Sequence, residues 1–134
     1  MTSLARRWIK FNFVGAIGFG VQMGAFAVLY GILGIGKLWA TGLAVETAVL
    51  HNFVWHEKFT WRHLPRGGAR GVLGRMLRFH AGNGLISIGG NVLLVKLFAD
   101  LLHINPYFGN VLAIALCALA NFAVSEWYVF RAPR

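Results

Sequence analysis

The chain has 134 residues, a formal net charge of +9 and 57% hydrophobic residues, with a mean hydropathy of +0.62. A soluble domain of this length has no interior large enough for so much apolar surface, and its 13% of charged residues is about half the share usual in soluble domains. An ordinary cytosolic globule, a disordered chain and a disulfide scaffold (Cys117 is the one cysteine) are excluded, which leaves a small, basic, integral membrane protein.

Arg6, Arg7 and Lys10 lead into a charge-free apolar run over residues 11–36. Its 26 residues exceed the apolar core of a signal peptide, and no small-residue cleavage site follows, so it reads as a retained transmembrane helix. Residues 38–55 form a second run, interrupted only by Glu46. Residues 81–99 form a third, with Lys96 close enough to its end to snorkel. Residues 104–125 form an uncharged fourth. Each suits a hydrocarbon layer about 30 Å thick, and none alternates as a membrane barrel strand does. The fold class is therefore all-α: a polytopic membrane protein with four transmembrane helices. Pro65-Arg66-Gly67-Gly68 breaks the chain between the second and third runs. Residues 70–78 read as a short basic interfacial helix leading into the third.

Eleven of the 13 basic residues fall at the N-terminus, in the middle loop or in the tail, and only Lys37 and Lys96 fall on the other side. That asymmetry places both termini and the middle loop in the cytoplasm. Each half is then an antiparallel hairpin closed by a short outer turn. Trp8, Trp55 and Trp61 fall at the inner boundary, and Tyr30, Trp39 and Tyr107 at the outer one, as interfacial aromatics do.

The two hairpins read as copies. Residues 35–62, shifted by 69, match residues 104–131 at 8 of 28 positions, including Asn52/Asn121, Phe53/Phe122, Glu57/Glu126 and Arg62/Arg131. Lys10-Phe11 matches Arg78-Phe79 at a shift of 68. The reading is a single membrane domain, 1–134. Repeat 1 covers about 7–62, a basic cytoplasmic linker 63–75, and repeat 2 about 76–131. Both copies start and end on the same side, so the repeat is parallel.

The openings Lys10-Phe11 and Arg78-Phe79 combine with two closings: Asn52-Phe53 through Phe59 and Trp61, and Asn121-Phe122 through Tyr128 and Phe130. In this pairing the chain, over about residues 6–131, resembles the GtrA-like family of small four-span membrane proteins. The resemblance implies a bacterial inner-membrane protein of cell-surface polysaccharide synthesis. It implies a flippase that translocates a polyprenyl-phosphate-linked sugar, or assists its translocation. The alternative is a non-catalytic anchor or stabilising subunit of a polyprenyl-phosphate glycosyltransferase. A small multidrug-type exporter, also four-spanning with a membrane glutamate, is a third reading. None of these makes the chain an enzyme or requires a cofactor. The expected partners are the polyprenyl-phosphate sugar lipid, anionic membrane lipids, a membrane-associated glycosyltransferase and a second copy of the chain. Nucleic acid is not among them, because the basic loop lacks a folded reader. Gln22 departs from the acidic residue that the resemblance leads one to expect in the first span.

A lipid phosphate at the inner headgroup level needs cationic donors at that depth. Lys10, Lys58, Arg62, Arg78 and Arg131 are the expected cluster. Asn52, Glu57, Asn121 and Glu126 would set its geometry or meet sugar hydroxyls. The competing reading of the cations is general attraction to anionic lipid, which topology alone requires. Glu46 is the one acid deep in a span, where a charge costs about 2.5 to 3.5 kcal/mol, so it is expected to face the bundle. It would be a neutral hydrogen-bonded carboxyl, a partner of Lys37 or Lys96, or a proton-coupling site.

Asn83, Ser87 and Asn91 share one face of the third span, and Asn110, Cys117 and Asn121 fall near one face of the fourth. With Gln22 they either line a sugar path or make interhelical hydrogen bonds worth about 0.6 kcal/mol each. The Gly20-x-x-x-Gly24 spacing permits close helix contact, within the bundle or between protomers. The histidines and Cys117 do not complete a metal site.

Overall fold

The computed structural model describes residues 2–65 and 67–131, apart from the side chains at positions 88, 91, 92, 95, 99, 106, 107, 110 and 111. The chain divides into two compact units, Met1–His63 and Leu64–Arg134. In the first, α1 runs Ser3–Phe26 and widens into Ala27–Ile32, and α2 runs Lys37–Trp55 and widens into His56–Thr60. In the second, α3 comprises Gly68–Leu85, the wide turns Ile86–Gly90, Asn91–Lys96 and the wide turns Leu97–Leu101. The last helix, α4, runs Pro106–Val124 and widens into Ser125–Val129.

Four helices thus stand where four spans are expected. Among the described residues, Ser3–Ile32 and Leu112–Val129 are long and apolar enough to cross a membrane. Of the other two helices, α2 with its widened end carries Glu46, His51 and His56, and α3 carries Arg70, Arg75 and Arg78. The expected basic interfacial helix is the first part of α3 rather than a separate element. It starts directly after Gly67, whose left-handed φ of 65° turns the chain into the helix.

In the first unit α1 packs on α2. Phe11, Val14 and Gly18 are the buried positions of α1, spaced three and four apart on one face. Ala40, Ala44, Ala48 and Phe53 are those of α2. The alanine stripe lets the backbones approach, as small residues do in membrane helix pairs. Gly18 lies against the Asn52 amide, and a Cβ there would overlap it. Within the chain, Gly20 and Gly24 make no close helix contact among the described residues: neither has a neighbour within 4 Å of a Cβ position. The buried stripe passes through position 18, two residues before Gly20, so the pair falls on the exposed side.

The second unit repeats this packing. Gly109, Ala113 and Cys117 are buried at a shift of 69 from Ala40, Ala44 and Ala48. Gly82 would place a Cβ 2.7 Å from the Val124 side chain, and Gly90 one 3.0 Å from the Cys117 Sγ. That sulfur donates to the Ile86 carbonyl at 3.6 Å.

The helix ends repeat as well. The amides of Leu33 and Leu102 donate to the carbonyls of Val28 and Leu97 at 2.9 and 3.0 Å. Those of Trp61 and Phe130 donate to His56 and Ser125 at 2.9 and 2.8 Å. All four bonds reach back five residues, the pattern of a π-type turn. The wide turn swings Trp61 and Phe130 inward, where they are 3% and 2% exposed. Past Leu33 and Leu102, the chain takes a left-handed residue in each unit: Gly34 at φ 70° in one and His103 at φ 53° in the other.

Candidate functional site

Ser3, Arg6, Arg7 and Lys10 follow the i, i+3, i+4, i+7 spacing of one helix face. Thr2 caps the helix, its Oγ1 accepting from the Ala5 amide at 3.1 Å, which fixes where that face begins. From the other helix come Thr60, Arg62 and His63. The wide turn that buries Trp61 leaves Arg62 and His63 exposed. Together these seven residues line a cavity of about 270 Å³ in the first unit. Four of them are Lys or Arg and none is acidic. The first amides of α1, with the positive end of its helix dipole, lie at the same place. Such a cavity suits an anion with several oxygens, because arginine forks match phosphate geometry.

Lys10 anchors the cavity wall. Its Nζ donates to the Phe59 carbonyl at 3.5 Å and lies 4.6 Å from the Phe59 ring centroid. Beneath it, the Phe11 ring stacks on His56 at 4.7 Å between centroids, and Trp61 meets both rings edge-on. His56, one residue past the apolar run, is buried, and its Nδ1 pairs with the Thr60 Oγ1 at 3.0 Å. Burial first, and the charge of His51 second, push its imidazole down to about 3.

The second unit carries the same basic-aromatic arrangement. The Arg78 Nη2 donates to the Val129 carbonyl at 3.3 Å, and its guanidinium carbon lies 5.8 Å from the Tyr128 ring centroid. The Phe79 and Phe130 rings meet at 6.4 Å as those of Phe11 and Trp61 do at 6.2 Å. The Arg78 Nε is buried without a hydrogen-bond partner.

The expected cations distribute over both units. Lys10 and Arg62 line the cavity, whereas Lys58 is exposed and is not among the lining residues. Arg78 and Arg131 belong to the second unit. Asn52 is half-buried below Gly18 and takes a contact of 3.1 Å from the His51 Nδ1. Glu57 is buried and Glu126 half-buried. Asn121 donates its Nδ2 to the Ser87 Oγ at 3.2 Å, an interhelical bond. Asn83 and Gln22 are half-buried, and the side chain of Asn91 lies outside the described residues.

Glu46 does not face the packed side of its helix. It is exposed, because α2 turns Ala44 and Ala48 to α1 and position 46 lies about 200° round from Ala44. Ser3, Arg6, Arg7, Thr60 and His63 line the cavity outside the expected cation cluster, and for the first three a helix-face pattern was there to be read. The i, i+3, i+4, i+7 spacing from Ser3 was the available signal.

A family model described as GtrA/DPMS, transmembrane domain, matches residues 10–130. The chain belongs to this family. A curated relative, a dolichol-phosphate mannosyltransferase from Pyrococcus furiosus, is 32% identical over 122 residues. That match covers 90% of this chain and 32% of the relative, so the chain spans about a third of that protein's length. The matched stretch is a membrane domain of the GtrA type. Lys10, Thr60, Arg62 and His63 lie within the matched stretch, and Ser3, Arg6 and Arg7 precede it.

Proposed function

We propose that this GtrA-type protein holds a polyprenyl-phosphate-linked sugar by its phosphate at the cytoplasmic headgroup level. It moves that lipid across the inner membrane, or assists its movement, for cell-surface polysaccharide synthesis. The observation that carries this reading is the cavity lined by Arg6, Arg7, Lys10 and Arg62 without an acid. An anionic headgroup is attracted by each of these and repelled by none. All four helices cross the bilayer in this reading. Even the 19-residue stretch from Lys37 to Trp55 is about 28 Å long, close to about 30 Å of hydrocarbon. The asymmetry of the basic residues supports cytoplasmic termini. Arg78 and Arg131 would serve anionic lipid at the same level, and Glu46 would be the membrane carboxyl available for proton coupling.

One observation favours a second reading. The relative's printed name is that of a mannosyltransferase, and this chain corresponds to about a third of it. The domain would then anchor or stabilise a separate polyprenyl-phosphate glycosyltransferase. In both readings the chain itself catalyses no transfer.

The test is purified protein in liposomes carrying a fluorescent polyprenyl-phosphate hexose, quenched from outside. Movement of the label between leaflets with this chain alone supports translocation. Movement only after a glycosyltransferase is added favours the second reading. None in either case overturns the first.

A further inference from the structure

We infer that the chain, although built from two like units, holds one phosphate headgroup per copy and holds it in the first unit. This deepens the proposed function and rests on it.

The counterparts of the cavity residues can be read at shifts of 68 for the first helix of each unit and 69 for the second. Arg7, Lys10 and Arg62 recur as Arg75, Arg78 and Arg131. The rest do not recur. Arg6 is replaced by Gly74, the Ser3 hydroxyl by Gly71, and the Thr60 hydroxyl by the methyl groups of Val129. With Ala132 in the sequence place of His63, the second unit thus lacks one guanidinium, two hydroxyl groups and one imidazole of the seven side chains that line the cavity of the first.

The helix start adds a second difference. Ser3 is the first residue of α1, directly after its Thr2 cap, so the positive helix end adjoins Arg6 and Arg7. In the second unit the helix starts at Gly68, so Gly71, the counterpart of Ser3, already lies three residues inside it. The dipole effect fades within the first turn. An anion there meets fewer donors, weaker helix-end attraction and one fewer charge. The duplicated basic-aromatic pairs, Lys10 with Phe59 and Arg78 with Tyr128, then hold the helix ends in both units. The added residues at the start of α1 turn one of those frames into a binding site.

The measurement is native mass spectrometry, with titration, of the full chain in phosphatidylcholine nanodiscs carrying polyprenyl monophosphate. The wild type is expected to saturate at one polyprenyl phosphate per chain. Arg7→Gln is expected to weaken binding about tenfold or more. Arg75→Gln, at the matching position, should stay within about twofold, with circular dichroism checking that both variants are folded. Arg6→Gln, which has no counterpart to test, should follow Arg7→Gln. Two lipids per chain, or equal losses for Arg7→Gln and Arg75→Gln, would overturn the single site while leaving the proposed function standing. A wild type that binds polyprenyl monophosphate no better than phosphatidylglycerol would overturn the proposed function itself, and the single site with it.

Discussion

The Lys10 ammonium lies 4.6 Å from the centroid of the Phe59 ring and donates to the carbonyl of the same residue at 3.5 Å. One side chain therefore closes the end of α2 and fixes one wall of the basic cavity. Residues 49 apart in sequence are tied by it across the hairpin. The same relation joins Arg78 to Tyr128 and Val129 in the second unit.

The cation–π part of this contact should be measurable. Lys10 is half-buried, which places the coupling between about 0.5 and 2 kcal/mol. A double-mutant cycle with Lys10→Met and Phe59→Leu, read by unfolding in detergent, isolates the pair from the backbone hydrogen bond. The expected coupling is about 1 kcal/mol, and a coupling of zero would show that the ring is a bystander.

Glycine is required at position 18 and not at position 20. A methyl group on Gly18 would displace the Asn52 amide from its contact with His51, whereas one on Gly20 meets nothing within 4 Å. Gly18→Ala is expected to destabilise the hairpin by about 1 to 3 kcal/mol, the cost typical of overpacking. Gly20→Ala, which relieves glycine's entropy penalty in a helix, should be neutral or slightly stabilising. Comparison of the two unfolding midpoints decides the matter, and equal losses would contradict the packing described above.

Acid should weaken the first unit through His56. Its imidazole is pushed down to about 3 by burial and by His51, against about 6.5 in an unfolded chain. Above 6.5 the ring is neutral in both states and adds no slope. As pH falls from 6.5 toward 3, the unfolded state takes up a proton that the folded state refuses. Stability then falls with pH, by at most about 1.4 kcal/mol per unit. Replacing the ring by His56→Phe keeps an aromatic against Phe11 and removes this loss. Unfolding midpoints between pH 7 and 5 should therefore fall more steeply for the wild type. Parallel slopes for the two proteins would refute it.

The sequence by itself determined the class and the order of parts. Its long uncharged runs leave no option but membrane helices, since backbone groups in lipid must pair within their own segment. Its repeated basic-Phe pairs, Lys10-Phe11 and Arg78-Phe79, located counterpart positions that make like ring contacts in the two units. The left-handed residues past the two hairpin turns, Gly34 and His103, emerged only in the structure, and His103 shows that glycine is not indispensable there.

What only the tertiary structure decided is which polar side chains share a place. Charge counting treats Arg6, Arg7 and Lys58 alike, because each lies at the same end of a helix. The rotation of each helix, set by the alanine stripe of α2 and by Phe11, Val14 and Gly18 of α1, separates them. It turns Arg6 and Arg7 to the cavity, leaves Lys58 out of it, and leaves Glu46 exposed on α2. Periodicity gives the angle between residues on one helix, but the face a helix turns to its neighbour depends on which small and large side chains interlock. That interlocking is a property of two segments together, and it brings Arg6, Arg7, Lys10 and Arg62 around one cavity.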